Sequence, residues 1–180
     1  FTQTKNLGYR AILNFQSTDE LWHHRLAFSE ASFDNHNYKM SLPNGVTHST
    51  KRNYQYVGSR LWELAEQQLS VLIESEREDY RQGGGYAFGL DADTTVERKS
   101  EGIAIEYRVD PFDRLTLGIS GRYDQNDNFS DPKTYRLETI YRYSGNTRWR
   151  ATLGSAIKNP TFTELFGIYS GFYGNPNLEP

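Results

Sequence analysis

The sequence predicts an all-β protein, an antiparallel up-and-down meander of about eight strands. Two observations carry that prediction. Eight segments alternate with period two, the pattern of a strand whose two faces meet different surroundings. The connections between them alternate short and long, which a meander produces when every short turn lies at the same end. Composition agrees: thirteen Tyr, ten Phe and three Trp suit strands bordered by aromatic belts.

The strands are expected near 5–16, 21–33, 51–62, 68–81, 96–109, 114–125, 133–144 and 147–158. In the first, Leu7, Tyr9, Ala11, Leu13 and Phe15 share a face, opposite Gly8, Arg10, Asn14 and Gln16. Trp22, His24, Leu26 and Phe28 follow after a turn. The third, Tyr54 to Trp62, patterns worst, because Arg60 falls on the face of Tyr54, Tyr56 and Trp62. Leu69, Val71 and Ile73 alternate with Ser70, Glu74, Glu76 and Glu78, and Ile103, Ile105, Tyr107 and Val109 with Ala104, Glu106 and Arg108. Leu115, Leu117, Ile119 and Tyr123 oppose Thr116, Ser120, Arg122 and Asp124. Tyr135, Leu137, Tyr141 and Tyr143 oppose Arg136, Glu138 and Arg142, and Trp149, Ala151, Leu153 and Ile157 oppose Arg150, Thr152 and Gly154.

Tight turns are expected at Ser17–Glu20, Glu63–Gln67, Pro111–Asp113 and Gly145–Thr147. Longer polar loops are expected at Asp34–Thr50, Gln82–Thr95 and Gln125–Pro132, each rich in Gly, Asn or Asp. Outer-membrane barrels sort their connections this way, short on the periplasmic side and long on the extracellular side. A soluble sandwich with Greek-key crossings has no reason to do so. The chain has no run of about 18 apolar residues, so a transmembrane helix is excluded. A spanning strand needs only about 9–11 residues with one apolar face, so a hydrophobic content of 36% fits a barrel. Arg- and Glu-rich inner faces cost several kcal/mol each in a closed core unless paired, but little along a hydrated lumen. They favour a wide barrel of about twenty-two strands, of which this chain supplies roughly the middle third.

Several chemistries drop out. There is no Cys, hence no disulfide framework and no thiolate nucleophile or ligand. A net charge of −3 with scattered basic residues gives no nucleic-acid footprint. His23, His24, His36 and His48 lack metal-site spacing. Asp91-Ala92-Asp93 begins like a calcium loop, but Val96 stands where Gly is required and Gly102 where the bidentate Glu belongs. Loose Ca²⁺ binding by loop carboxylates, Asp91 and Asp93 with Asp127 and Asp131, is the single metal expectation, and no cofactor is expected. Gly83-Gly84-Gly85 precedes no Lys-Ser/Thr and is not a phosphate loop. Glu74, Glu76 and Glu78 share one polar face, where repulsion is tolerable with water or Arg partners. No nucleophile, base and orienting group can be assembled, so no enzyme is expected.

The last twenty-three residues read KNPTFTELFGIYSGFYGNPNLEP, and neither a strand nor a regular helix is expected there. The stretch resembles a signature of TonB-dependent outer-membrane receptors, in which Pro-x-x-x-Glu/Gln-Leu-Tyr/Phe-Gly leads into Gly-Asn-Pro-Asn-Leu-x-Pro. The matching residues are Pro160, Glu164, Leu165, Phe166, Gly167, Gly174, Asn175, Pro176, Asn177, Leu178 and Pro180. Gly171-Phe172-Tyr173-Gly174 looks most like the vitamin B12 receptor branch. The resemblance implies a receptor of the Gram-negative outer membrane that captures a scarce nutrient, cobalamin or an iron chelate. Its partners would be the lipid bilayer and, through a plug outside these residues, the TonB complex that powers transport. Residues 1–180 are expected to be part of such a barrel, with plug and remaining strands elsewhere in a longer chain. A passive porin or structural outer-membrane barrel is the first alternative, and a soluble β-rich binding module the second. Pro and Gly in the signature fix backbone. The ligand candidates at the mouth are therefore the aromatics Tyr38, Tyr86, Phe88, Tyr169, Phe172 and Tyr173, broad surfaces with a polar handle in the tyrosines.

Overall fold

The computed structural model describes all residues except 41, 85, 88–89, 92 and 170–171. For 39, 42–44, 86–87, 90–91 and 169 it describes the backbone alone. Eight long strands form one sheet: β1 (Thr2–Gln16), β2 (Trp22–Lys39), β3 (Leu42–Trp62), β4 (Gln67–Gly83), then β7 (Thr94–Phe112), β8 (Leu115–Asn126), β9 (Lys133–Ser144) and β10 (Thr147–Gly154). Between β4 and β7 lie the two-residue strands β5 (Tyr86–Ala87) and β6 (Leu90–Asp91), which pair with each other. After β10 come one helical turn, α1 (Phe162–Phe166), and the short pair β11 (Ile168–Tyr169) and β12 (Phe172–Tyr173). The long strands lie in the order β1-β2-β3-β4-β7-β8-β9-β10, every pair antiparallel and sequential in the chain. The sheet is open, with β1 and β10 at its edges.

Register places the alternating residues as their period demands. Leu13 faces Leu26, Leu26 faces Tyr56, Tyr56 faces Ile73, Ile73 faces Ile103 and Ile103 faces Tyr123. A second row runs through Leu69, Tyr107, Ile119, Leu137 and Leu153. This apolar face is bare: Leu7, Leu13, Ile105, Ile119 and Leu153 are all more than half exposed. Among the described residues Tyr80 is the one buried apolar side chain of the sheet, and Pro160, Phe162 and Leu165 belong to the segment after β10, so the sheet has no hydrophobic core of its own. An apolar surface this continuous needs a cover.

Arg60 sits on the apolar face without conflict. Its guanidinium lies 4.8 Å from the Trp22 ring and 5.2 Å from the Trp62 ring, at the end of the sheet that carries the short turns.

Two regions depart most from expectation, while β1 begins at Thr2 and β7 runs through the expected Pro111–Asp113 turn as far as Phe112. Asp34–Thr50 is not a loop, since β2 runs on to Lys39 and β3 resumes at Leu42. Asp34 and His48 are cross-strand neighbours, and His48 Nδ1 bonds Asp34 Oδ1 at 2.5 Å. Beyond Phe28 the formerly apolar face turns charged, with Arg52 donating to Glu30 at 2.6 Å and Arg77 to Glu97 at 2.7 Å. Here both faces are polar, so no period-two signal marks the strands although the backbone ladder continues. At the other boundary, β10 stops at Gly154 rather than at 158.

Candidate functional site: the polar wall and the segment folded across it

The face opposite the apolar one carries a ladder of paired charges. Lys51 Nζ lies 2.6 Å from Glu76 and 3.1 Å from Glu78. Asn53 donates to Glu74 at 2.6 Å, and Arg122 reaches Glu74 at 3.3 Å. Arg122 also grips both oxygens of Asp124, at 2.8 and 2.9 Å from Nε. Further along, Arg150 donates to Glu138 at 2.9 Å. Each of the three aligned glutamates thus has a cationic partner, which removes the repulsion their spacing would create. Such pairs are half-exposed and contribute about 0–1 kcal/mol each. Their consequence is a polar wall, wettable along its length. Glu74, Glu76, Arg122 and Asp124 border a cavity of about 360 Å³, whose lining also includes Ser155–Ile157 and Asn159.

The segment after β10 folds back over this wall at the end where the long connections lie. The turn α1 exists because Thr161 and Glu164 form a capping box: Glu164 N donates to Thr161 Oγ1 at 3.2 Å, and Thr161 N donates to Glu164 Oε2 at 2.7 Å. The bond from the Thr161 backbone, and next the one that Thr161 Oγ1 donates to Glu164 Oε2 at 2.9 Å, hold the Glu164 carboxyl below the usual carboxylate range, assisted by Lys158. The Thr-x-x-Glu spacing was visible in the sequence and marks a helix start, so the expectation of neither strand nor regular helix is corrected by this one turn and by the two-residue strands β11 and β12. Gly174 N donates to Gly167 O at 2.8 Å and Asn175 N to Glu164 O at 2.9 Å, closing the second half of the motif onto the first. Asn175 then folds its own turn, accepting from Asn177 N at 3.0 Å. Pro160 and Leu165 are buried, Glu164 and Phe166 half-buried, and Leu178 and Pro180 exposed.

Three wall residues that the sequence did not single out, Tyr80, Gln82 and Arg98, anchor this unit. Phe162 is 6% exposed and stacks on Tyr80, ring centroids 5.5 Å apart. Tyr80 Oη donates to Gln82 Oε1 at 2.9 Å, and Gln82 Nε2 donates to the Ile168 carbonyl at 2.9 Å. Arg98 donates to the Pro160 carbonyl at 2.8 Å and is ion-paired with Glu78. Phe129, from the β8–β9 connection, faces the same guanidinium. One signal was available: Tyr80 is an aromatic on the face otherwise occupied by Glu74, Glu76 and Glu78.

The candidate mouth aromatics fall into groups. Phe172 and Tyr173 form β12 and are exposed. Tyr169 and Tyr86 lie in β11 and β5, which approach each other, so the β4–β7 connection meets the terminal segment there. Phe88 lies outside the described residues. Tyr38 is at the opposite edge, stacked on Phe1 with centroids 4.5 Å apart. Of the candidate calcium ligands, Asp93 accepts from Gly84 N at 3.0 Å, and the side chain of Asp91 is outside the described set. Among the described residues no group of three or more metal-ligating side chains comes together.

A sheet with one bare apolar face, a paired-charge wall on the other and a segment folded across the wall is a portion of a transmembrane β-barrel rather than a closed soluble domain. The model of the TonB dependent receptor-like β-barrel family matches residues 1–180, and the chain belongs to that family. Its members are receptors and transporters of the Gram-negative outer membrane. Over 61 residues, 34% of this chain, it is 38% identical to the vitamin B12 transporter BtuB of Photobacterium profundum. That stretch is 10% of the transporter's length. The siderophore receptor PirA from Pseudomonas aeruginosa superposes with a TM-score of 0.77 at 15% identity, over 99% of this chain. The chain spans 33% of the length of that receptor, and the likeness shows the shared fold.

Proposed function

We propose that residues 1–180 form wall and mouth of a larger outer-membrane receptor that takes up a scarce nutrient, of cobalamin or ferric-siderophore type, with energy from the TonB system. The observation that carries this reading is the compact 158–180 unit, docked on the polar wall beside the long β4–β7 connection. It puts an aromatic-rich surface, Phe172 and Tyr173 with β5 and β11 alongside, at one rim. The resemblance to a vitamin B12 transporter over 61 residues favours cobalamin among the nutrients. In this reading the bare Ile/Leu face contacts lipid and the paired charges keep the lumen hydrated, so a polar solute crosses without meeting an apolar barrier. Plug, TonB contact and the remaining strands belong to other parts of the protein, and residues 1–180 perform no chemistry.

The test is uptake by the full-length receptor in a Gram-negative host lacking its own cobalamin and siderophore receptors. Labelled cyanocobalamin or a labelled ferric siderophore should accumulate with TonB present and not in a TonB-deficient strain. Equal accumulation in both strains overturns the reading in favour of a passive porin.

A further inference from the structure

Four parts of the fold meet on one guanidinium. Arg98 leaves β7 on the polar face with a side chain 12% exposed. Its Nε donates to Glu78 Oε2 of β4 at 3.0 Å, and Nη2 donates to the same oxygen. Its Nη1 donates to the Pro160 carbonyl at 2.8 Å. Its Cζ lies over two rings, 4.7 Å from the centroid of Phe162 in α1 and 5.7 Å from that of Phe129 in the β8–β9 connection. The ends of that connection are fixed separately, since Asp131 accepts from Asn126 N at 3.1 Å and from Tyr123 Oη at 2.9 Å. The terminal segment likewise has its own ties through Tyr80 and Gln82. Arg98 is what the two have in common.

We propose that Arg98 is a positioning residue that couples the 127–132 connection to the 158–168 segment, so that the two order and loosen together at the rim. The physical reason is the rigid fork. A planar guanidinium satisfies Glu78, the Pro160 carbonyl and two ring faces at once only while both segments are in place. Withdrawing Phe129 hydrates one face of the cation, weakens the contact with Phe162 and frees Nη1 to bond water instead of Pro160. A ligand seated on either segment would then be felt by the other. That consequence rests on the receptor reading, whereas the coupling itself can be read without a ligand.

Hydrogen exchange on the full-length receptor tests it. Arg98→Lys keeps the charge beside Glu78 but loses the fork and the flat face. It should speed exchange at least threefold in both 127–132 and 160–168, leaving the central β7–β8 amides around Ile103 and Tyr123 unchanged. Phe129→Leu alone should speed exchange at 160–167, and should add nothing further when combined with Arg98→Lys. Unchanged exchange at 160–167 in Phe129→Leu, or loosening of one segment without the other in Arg98→Lys, overturns the proposal. Should Arg98→Lys also loosen the central strands, it has disturbed folding, and Phe129→Leu decides. In the unmodified receptor, saturating cyanocobalamin should protect both segments together. If neither cyanocobalamin nor a ferric siderophore binds, the receptor reading fails, and the exchange of the variants still decides the coupling.

Discussion

A Cβ placed on Gly174 would lie 2.7 Å from the carbonyl carbon and oxygen of Leu165. The atoms in the way are backbone, and Leu165 itself is 3% exposed, so neither partner can yield. The two halves of the signature therefore touch main chain to main chain, which explains a glycine at this position better than backbone freedom does.

Gly174→Ala should separate those halves at a local cost of about 1–3 kcal/mol, the usual range for overpacking. Limited proteolysis of the full-length receptor should then cut within 161–178 while the wall stays intact. Gly145→Ala, where an added Cβ meets nothing within 4 Å, should leave the digestion pattern unchanged. Equal resistance of both variants would contradict the close approach.

Adjacent residues of β10 test the facing. Leu153 opposes Leu137 on the apolar face, and Thr152 opposes Glu138 on the polar one. Leu153→Arg should destabilise the receptor in a bilayer by about 2–4 kcal/mol if the site sits near mid-membrane. Thr152→Arg gains an acidic neighbour and should change little. Denaturant titration of the receptor refolded in lipid measures both, and a larger cost for Thr152→Arg would reverse the assignment of the faces.

The capping box predicts a pH dependence with a definite sign. The folded unit lowers the Glu164 carboxyl below its ordinary value, so the folded state favours the ionised form. The stabilisation is fully present above the ordinary value near 4.5 and is lost as the pH falls through the lower, folded value. Exchange of the 161–167 amides, corrected for intrinsic rate, should accelerate in that acid window. Glu164→Gln keeps the box geometry and should abolish this dependence. Thr161→Ala, which removes the cap at every pH, should cost about 1 kcal/mol.

The long β4–β7 connection should matter for capture where the short turns do not. Removing residues 84–93, between the end of β4 and the start of β7, should weaken cyanocobalamin or siderophore binding at least tenfold. Altering Gly145–Thr147 should not, provided both variants insert. Unchanged affinity after the deletion would remove this connection from the mouth. Short turns lie at the other end of the sheet, out of reach of a ligand arriving from outside.

Particular residues show how far the sequence reaches. Leu117 and Ile119 alternate with Thr116 and Ser120 because one face meets an apolar surrounding and the other does not. That demand is local, so period two sufficed to place the strands and their facing. The sorting of turns by length pointed to the same meander order, although the reversal between β2 and β3 proved tight and the β4–β7 and β8–β9 connections alone are long at that end. Period two falls silent wherever both faces meet water, so the extension through Asp34 and His48 was invisible although its ladder is complete. The signature was legible as a motif, but its seat on the wall was not. Arg98 reaches Pro160 across 62 residues and Gln82 reaches Ile168 across 86, contacts that no spacing along the chain encodes. Alternation along the chain was enough to assign the residues of each face between the turns and the order in which the strands follow. Tertiary structure alone decided which side chains converge on one guanidinium, because that depends on how far the terminal segment folds back across a sheet whose strands are already in place.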